Sequence, residues 1–292
     1  MFPLKERCVD GDGFRLYYWM HPLYRGAVST PFRDRLALEW EGAEAPTGVD
    51  FAALARRIRC SDLVAKDVGA LVARPCEATG GLVNHYVNSE VRLDGDIEKR
   101  FKYSARKNLR KAQEDYGLEV DVNPDGMLEK FYRMYLTNRR RLGVLPYPWR
   151  FFRTLFGLRG QSVVVFACRS QQDVLGYLVC YLHGNEMISG HLAYEFEQRH
   201  KRISDLLFMS AFQWGRSNGF TTYRFGADNQ NQTTLVESKQ KLGAVARPQW
   251  DFRGRLKSMG DDRPDSPIRR MLRATPMPVF RHTSSLTGLY FG

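Results

Sequence analysis

The residues best placed to do chemistry lie in a charged run just ahead of a strongly apolar helix. The stretch Glu195–Ser204, EFEQRHKRIS, meets a helical stripe in which Ile203, Leu206, Leu207, Ser210, Ala211 and Trp214 repeat at i, i+3, i+4, i+7, i+8 and i+11. The first N–H groups of a helix have no partner inside it, and the helix dipole adds partial positive charge there. Such an end binds phosphate well. Arg199, His200, Lys201 and Arg202 sit just upstream and add to that field. On these residues alone the loop is either an anion site or a solvated charged turn.

A second concentration of charge lies in Ile97–Lys111, with seven cations against one acid, Glu98. Lys99, Lys102, Arg106 and Arg110 line one flank of the helix predicted there, and Arg100, Lys107 and Lys111 another. Like charges at i, i+4 repel by a few tenths of a kcal/mol per pair, a penalty that a polyanionic ligand would remove. The alternative is a solvated face. A third feature is Lys239, on a short predicted helix; a lysine facing a cleft can stabilise a developing oxyanion. The sequence holds no GxSxG, GxxxxGK[ST], HExxH or GxGxxG, and its six histidines show no ligand spacing. His191 reads as a histidine satisfied within a strand.

The elements that must position these residues become readable from Asp96 onward. Ile97, Phe101, Ala105, Leu109, Ala112 and Tyr116 predict one amphipathic helix, capped by Asp96 and ended by Gly117. A strand Leu118–Val122, a helix from Met127 to Leu142 stopped by Gly143, and an aromatic helix Trp149–Leu158 follow. Ser162–Arg169, Leu175–Leu182 and Glu186–Tyr194 are strand signals joined by short turns, which predicts an antiparallel meander. After the helix that starts at Ile203 come a strand Thr221–Phe225, a helix Leu235–Leu242 and a strand Ala246–Phe252. Upstream, Phe14–Met20, Leu36–Trp40 and Leu82–Val91 read as strands, and Asp50–Arg59 as a helix capped by Asp50. The fold class is α+β.

The whole chain sets limits. Its 292 residues suit one large domain or two small ones. Hydrophobic residues make up 43%, enough for a core, which excludes a disordered or fibrous chain. The net charge of +12 favours anionic partners. Five cysteines without a CxxC give neither a zinc pattern nor a disulfide scaffold, which suits a reducing compartment. No apolar stretch approaches the roughly 20 residues of a membrane helix, and the N-terminus lacks the apolar run of a signal peptide. A cytoplasmic protein is expected. Beyond Gly260 the tail is rich in Pro, Arg and Ser. Met271, Leu272, Phe280, Leu286 and Phe291 with Arg269, Arg270 and Arg273 would dock it on an anionic inner membrane, or it packs on the domain.

Four blocks, in order, resemble the Fem-type branch of the GNAT acyltransferase superfamily, over about Val87 to Ala244. They are YSARKNLRKAQEDYGLEV (Tyr103–Val120), FYRMYLTNRRRLGVLPYPWRFF (Phe131–Phe152), AYEFEQRHKRISDLLFMSAFQWGRSNGF (Ala193–Phe220) and YRFGADNQNQTTLVESKQKLGA (Tyr223–Ala244). The branch includes peptidoglycan aminoacyltransferases and polysaccharide- or exosortase-associated acetyltransferases. The resemblance implies a mixed, splayed sheet flanked by helices. It implies acyl transfer from acyl-CoA, chiefly acetyl-CoA, or from aminoacyl-tRNA, to an amine or hydroxyl on a small molecule or glycan-linked acceptor, without a metal. It implies work in envelope or exopolysaccharide biosynthesis.

By the same resemblance, Arg199, Lys201, Arg202, Ile203 and Ser204 handle the donor's phosphates. Lys239 matches the lysine of the family's "F-K" pair, near the acyl carbonyl. Arg106 and Arg110 match its basic helix, and Arg141, Tyr147 and Trp149 the block lining the acceptor side. The base is Glu195, Tyr194 or Asp228, or else water. The sequence departs from the pattern in three ways: Ser238 replaces Phe, the donor loop lacks a glycine-rich element, and residues 1–95 are short for a first GNAT-like half. The expected division is therefore a truncated half over 1–95, the acyltransferase domain over 96–259 and a basic tail over 260–292. The rival from another class is a non-catalytic module that holds an anionic polymer.

Overall fold

The computed structural model describes residues 6–11, 14–20, 26–28, 38–40, 48–60, 62–68, 81–253 and 266–286. The chain forms two compact units. One comprises Met1–Val87, Pro248–Asp262 and Ser285–Gly292; the other comprises Asn88–Arg247 and Arg263–Ser284.

In the first unit, β1 (Glu6–Gly11) and β2 (Phe14–Met20) pair antiparallel, and β2 also pairs antiparallel with β3 (Gly26–Val28) and β4 (Leu38–Trp40). Helix α1 (Phe51–Arg57) starts where the Asp50 carboxylate accepts the Ala53 N–H at 2.8 Å. β5 (Asp62–Ala65) lies parallel to β3. Leu16, Leu63, Phe51 and Leu54 form the core, with Phe51 stacked on Phe252 at 5.6 Å. The strand β6 (Leu82–Arg92) then carries the chain into the second unit.

The second unit holds the recognisable blocks. A 3-10 turn at Glu98–Arg100 precedes helix α2 (Tyr103–Arg110), whose end widens into a π-type turn, Lys111–Asp115. The single helix expected from Asp96 is therefore broken. Phe101 is extended (ψ 138°), and the Lys102 N–H bonds to the Lys241 carbonyl at 2.9 Å. Ile97 and Phe101 still point into one core, so the apolar period runs unbroken across the interruption.

β7 (Leu118–Val122), α3 (Leu128–Leu142) and α4 (Trp149–Gly157) follow. Gly143 ends α3 at φ 66°, and a Cβ there would stand 2.5 Å from the Arg269 carbonyl oxygen. Next, β8 (Val163–Ser170), β9 (Asp173–His183) and β10 (Glu186–Tyr194) form the meander with β7. After α5 (Ile203–Ser217) come β11 (Thr222–Asn229), α6 (Thr233–Lys241) and β12 (Val245–Arg253). The tail forms α7 (Pro267–Ala274) and α8 (Met277–His282).

Both faces of this sheet are covered, and that explains why β8 and β9 read as continuous apolar runs. Val164, Phe166, Leu178 and Cys180 pack with α2 and α5 residues such as Leu109, Leu207 and Phe212. Their neighbours Val163, Val165, Tyr177 and Val179 pack with Phe131, Tyr135 and Phe152 of α3 and α4. Leu272 of α7 and Phe280 of α8 are buried in that second layer, so the tail residues nearest the core face protein.

Candidate functional site

The site begins where two strands part. β10 and β11 pair in parallel only over Glu186–Thr222, Met187–Tyr223 and Ile188–Arg224. Just beyond, β10 bulges between Ser189 and His191 while staying paired to β9. Gly190 permits the bulge, because a Cβ there would stand 2.6 Å from the Tyr181 ring. From that point the strands diverge towards Tyr194 and Asn229.

At the open end lies a cleft of about 770 Å³. α2 contributes Ala105 and Asn108, the end of β10 contributes Tyr194, and the following 3-10 turn contributes Glu197, Arg199 and His200. Arg202, Ile203, Ser204 and Asp205 line it from the start of α5, and Ser238 and Lys241 from α6. Arg202 takes the left-handed conformation (φ 64°) and turns the chain into α5. The opening N–H groups of α5 at Ile203, Ser204 and Asp205 have no acceptor within the helix.

Close packing fixes this end of the helix. Gly176 of β9 lies beneath it, where a Cβ would stand 2.6 Å from Ile203 Cγ2 and 3.0 Å from Tyr194 Cβ. The Tyr194 carbonyl accepts Asn138 Nδ2 of α3 at 2.8 Å, and the Glu195 N–H bonds to the Leu175 carbonyl at 2.8 Å. Cations converge on the cleft, but not alone. The Asp205 carboxylate, half-buried, accepts Asn108 Nδ2 at 2.9 Å. Burial raises its pKa, and Asn108, Arg202 and Lys241 pull it back down. Three cations and a free helix end against Glu197 and Asp205 suit a polyanionic group such as a pyrophosphate.

The structure brings part of the expected set together. Arg199, Arg202, Ile203, Ser204 and Tyr194 line the cleft; Lys201 and Glu195, on the same turn, do not. Lys239 and Asp228 are both buried, with Nζ 2.5 Å from Oδ2 and 5.2 Å from the centre of the Phe225 ring. Their neighbour Ser238 reaches the cleft. Arg106 and Arg110 stand exposed on α2, outside the lining. Arg141 lies 3.7 Å from the centre of the Phe196 ring, and Arg199 lies 4.2 Å from it.

Tyr147 and Trp149 sit in the aromatic cluster over α3 and α4, where Tyr147 meets the His191 ring at 5.4 Å and Trp149 meets Tyr132 at 5.1 Å. His191 has a partner: its Nε2 lies 3.0 Å from the Tyr181 hydroxyl. Tyr135, Tyr147, Phe151 and Phe152 crowd the imidazole, and burial lowers its pKa to about 3, with Arg139 adding to the effect. Sequence reasoning missed Asn108, Asp205 and Lys241. Asp205 carries a local signal, an acid in the first turn of a helix; Asn108 carries none.

Comparison with known proteins fits this geometry. Residues 99–232 match the family described as an acetyltransferase (GNAT) domain. No curated protein matches the sequence. Among solved structures, the fold is similar to that of FemX (11% identity, TM-score 0.58, covering 85% of this chain and 88% of that one). It is similar to the C-terminal domain of a putative lysylphosphatidylglycerol synthetase from Agrobacterium fabrum (14%, TM-score 0.56, 86% and 84%). It is also similar to L-PGS from Bacillus licheniformis (13%, TM-score 0.56, 97% and 90%). At such identities the likeness is one of fold. Residues 99–232 are thus similar to a GNAT acetyltransferase domain, and the fold, with its parted strands and a helix end facing the gap, is GNAT-like and similar to that of FemX.

Proposed function

We propose that this chain transfers an acyl group from acyl-CoA, chiefly acetyl-CoA, to an amine or hydroxyl on a small or glycan-linked acceptor. The pathway we propose is bacterial envelope or exopolysaccharide assembly, with the protein on the cytoplasmic side of the inner membrane. The observation that carries the reaction is the opening between β10 and β11 with the start of α5 facing it. The acceptor lone pair attacks the thioester carbonyl, the C–S bond breaks, and the electron pair leaves with the CoA sulfur. The acceptor's proton passes to a base or to water. Of the three candidate bases, Tyr194 is the one in the cleft; Asp228 is bonded to Lys239, and Glu195 is exposed outside the lining.

One observation favours a second donor, aminoacyl-tRNA. The turn into α5 carries no glycine from Arg199 to Ser204, and Arg202 holds the left-handed position. Thermal stability with acetyl-CoA, CoA and uncharged tRNA at two salt concentrations separates the readings. A donor at 100 times its Kd stabilises by about 2.7 kcal/mol. A CoA-specific shift that Arg199→Ala removes, with release of free CoA thiol in the presence of an acceptor, supports acyl-CoA. A shift with tRNA alone that collapses at high salt supports the second reading. No shift with either leaves the non-catalytic module.

A further inference from the structure

We propose that the layer formed by α3, α4, α7 and α8 is the face by which this protein docks on an anionic membrane surface. Lys and Arg number five on α3, two on α4, three on α7 and one on α8, against a single carboxylate, Glu129. Arg133, Arg150, Arg153, Arg270 and Arg281 are exposed, and none of them has a carboxylate partner among the described residues. A one-signed face of this kind is complementary to anionic head groups.

Apolar side chains stand outward on the same layer. Ile268 is 48% exposed and Met271 62%, one turn apart on α7, while Val279 on α8 is 57% exposed. Leu142, 43% exposed, ends α3 beside α7, where Gly143 brings the two backbones together. Of the two readings the sequence allows for the tail, docking put Leu272 and Phe280 on the lipid side and packing put them against the domain. Both are core residues, and their burial turns Ile268, Met271 and Val279 outward. The side chain of Leu286, and Phe291, lie outside the described residues. A short helix anchored by one apolar edge, with a second apolar edge and arginines facing out, has the form of an interfacial element. A polynucleotide would meet the arginines and leave the apolar edge in water, which is why the lipid surface is the better occupant.

The surface is tested without any acyl donor, so it stands or falls apart from the reaction. The full chain is floated with vesicles of equal parts phosphatidylglycerol and phosphatidylcholine, and with phosphatidylcholine alone. The expected result is binding to the anionic vesicles and none to the neutral ones. Arg270→Gln lowers the partition constant about fivefold. Met271→Asp lowers it at least tenfold, because a charge replaces an inserted apolar group. Both positions are exposed, so circular dichroism of the variants should match that of the parent. Absent binding to anionic vesicles, or equal binding to both kinds, overturns the proposal. So does a partition that falls with Arg270→Gln and is unmoved by Met271→Asp, the pattern of a general polyanion face.

Discussion

Replacing Lys239 by Met tests what holds β11 and α6 together. The side chains of Lys239 and Asp228 are only 10% and 7% exposed, with 2.5 Å between Nζ and Oδ2. Removing one partner of a buried pair costs about 3–5 kcal/mol. Replacing both with apolar groups of similar size is close to neutral. Lys239→Met should therefore be severe, and Lys239→Met with Asp228→Leu should recover most of the loss. With two compact units in one chain, a global melting temperature blurs the effect, so hydrogen exchange resolved on β11 and α6 is the better readout. A loss of 3–5 kcal/mol accelerates exchange there by two to four orders of magnitude. A single variant that changes exchange less than tenfold, or a double variant as damaged as the single, refutes the reasoning. The recovered double variant then serves a second purpose. If it still turns over, the ammonium is a structural strut; if it is folded and inactive, the group acts in the reaction.

Gly176→Ala places a methyl against Ile203 and Tyr194, so it should cost about 1–3 kcal/mol and weaken CoA binding by tilting the start of α5; calorimetry and a binding isotherm check both effects. Asp205→Asn removes a carboxylate from the cleft while keeping an acceptor for Asn108, and it should tighten CoA binding several-fold by isothermal titration. His191 is held neutral, with a folded pKa near 3 against 6.5 unfolded. The unfolded chain binds the extra proton between these values, so the contribution of His191 to stability is complete above pH 6.5 and is lost by up to about 1.4 kcal/mol per pH unit below it. Urea midpoints across pH 4–7 should show that slope, and His191→Phe should flatten it. Arg202→Gly relieves a left-handed residue and removes a cation, so stability should hold or rise while anion affinity falls.

Sequence reasoning reached furthest where one local cause sufficed. Glu186–Tyr194 and the start of α5 at Ile203 are as expected, because short turns bound the first and an unbroken apolar stripe marks the second. Covered faces on both sides gave β8 and β9 their apolar runs. The break at Phe101–Lys102 was invisible because its cause, the bond to the Lys241 carbonyl, comes from a distant part of the chain. The site divides along the same line. Arg199 to Ser204 are contiguous and could be read as one loop. The Asn108–Asp205 bond joins residues 97 apart, and no local pattern signals such a pairing. On α7 the amphipathic pattern was legible, but which apolar edge faces the protein depends on packing against α3.

Asn138 has only two amide hydrogens, and both are committed: one to the Met134 carbonyl within α3, the other to the Tyr194 carbonyl at the cleft. The amide is buried, so water cannot relieve either bond. It works as a tie-rod through the helical layer, and the position of α3 along its axis and the width of the cleft mouth become one mechanical coordinate. A ligand that spreads the cleft at Tyr194 therefore strains a bond whose other end is fixed in α3.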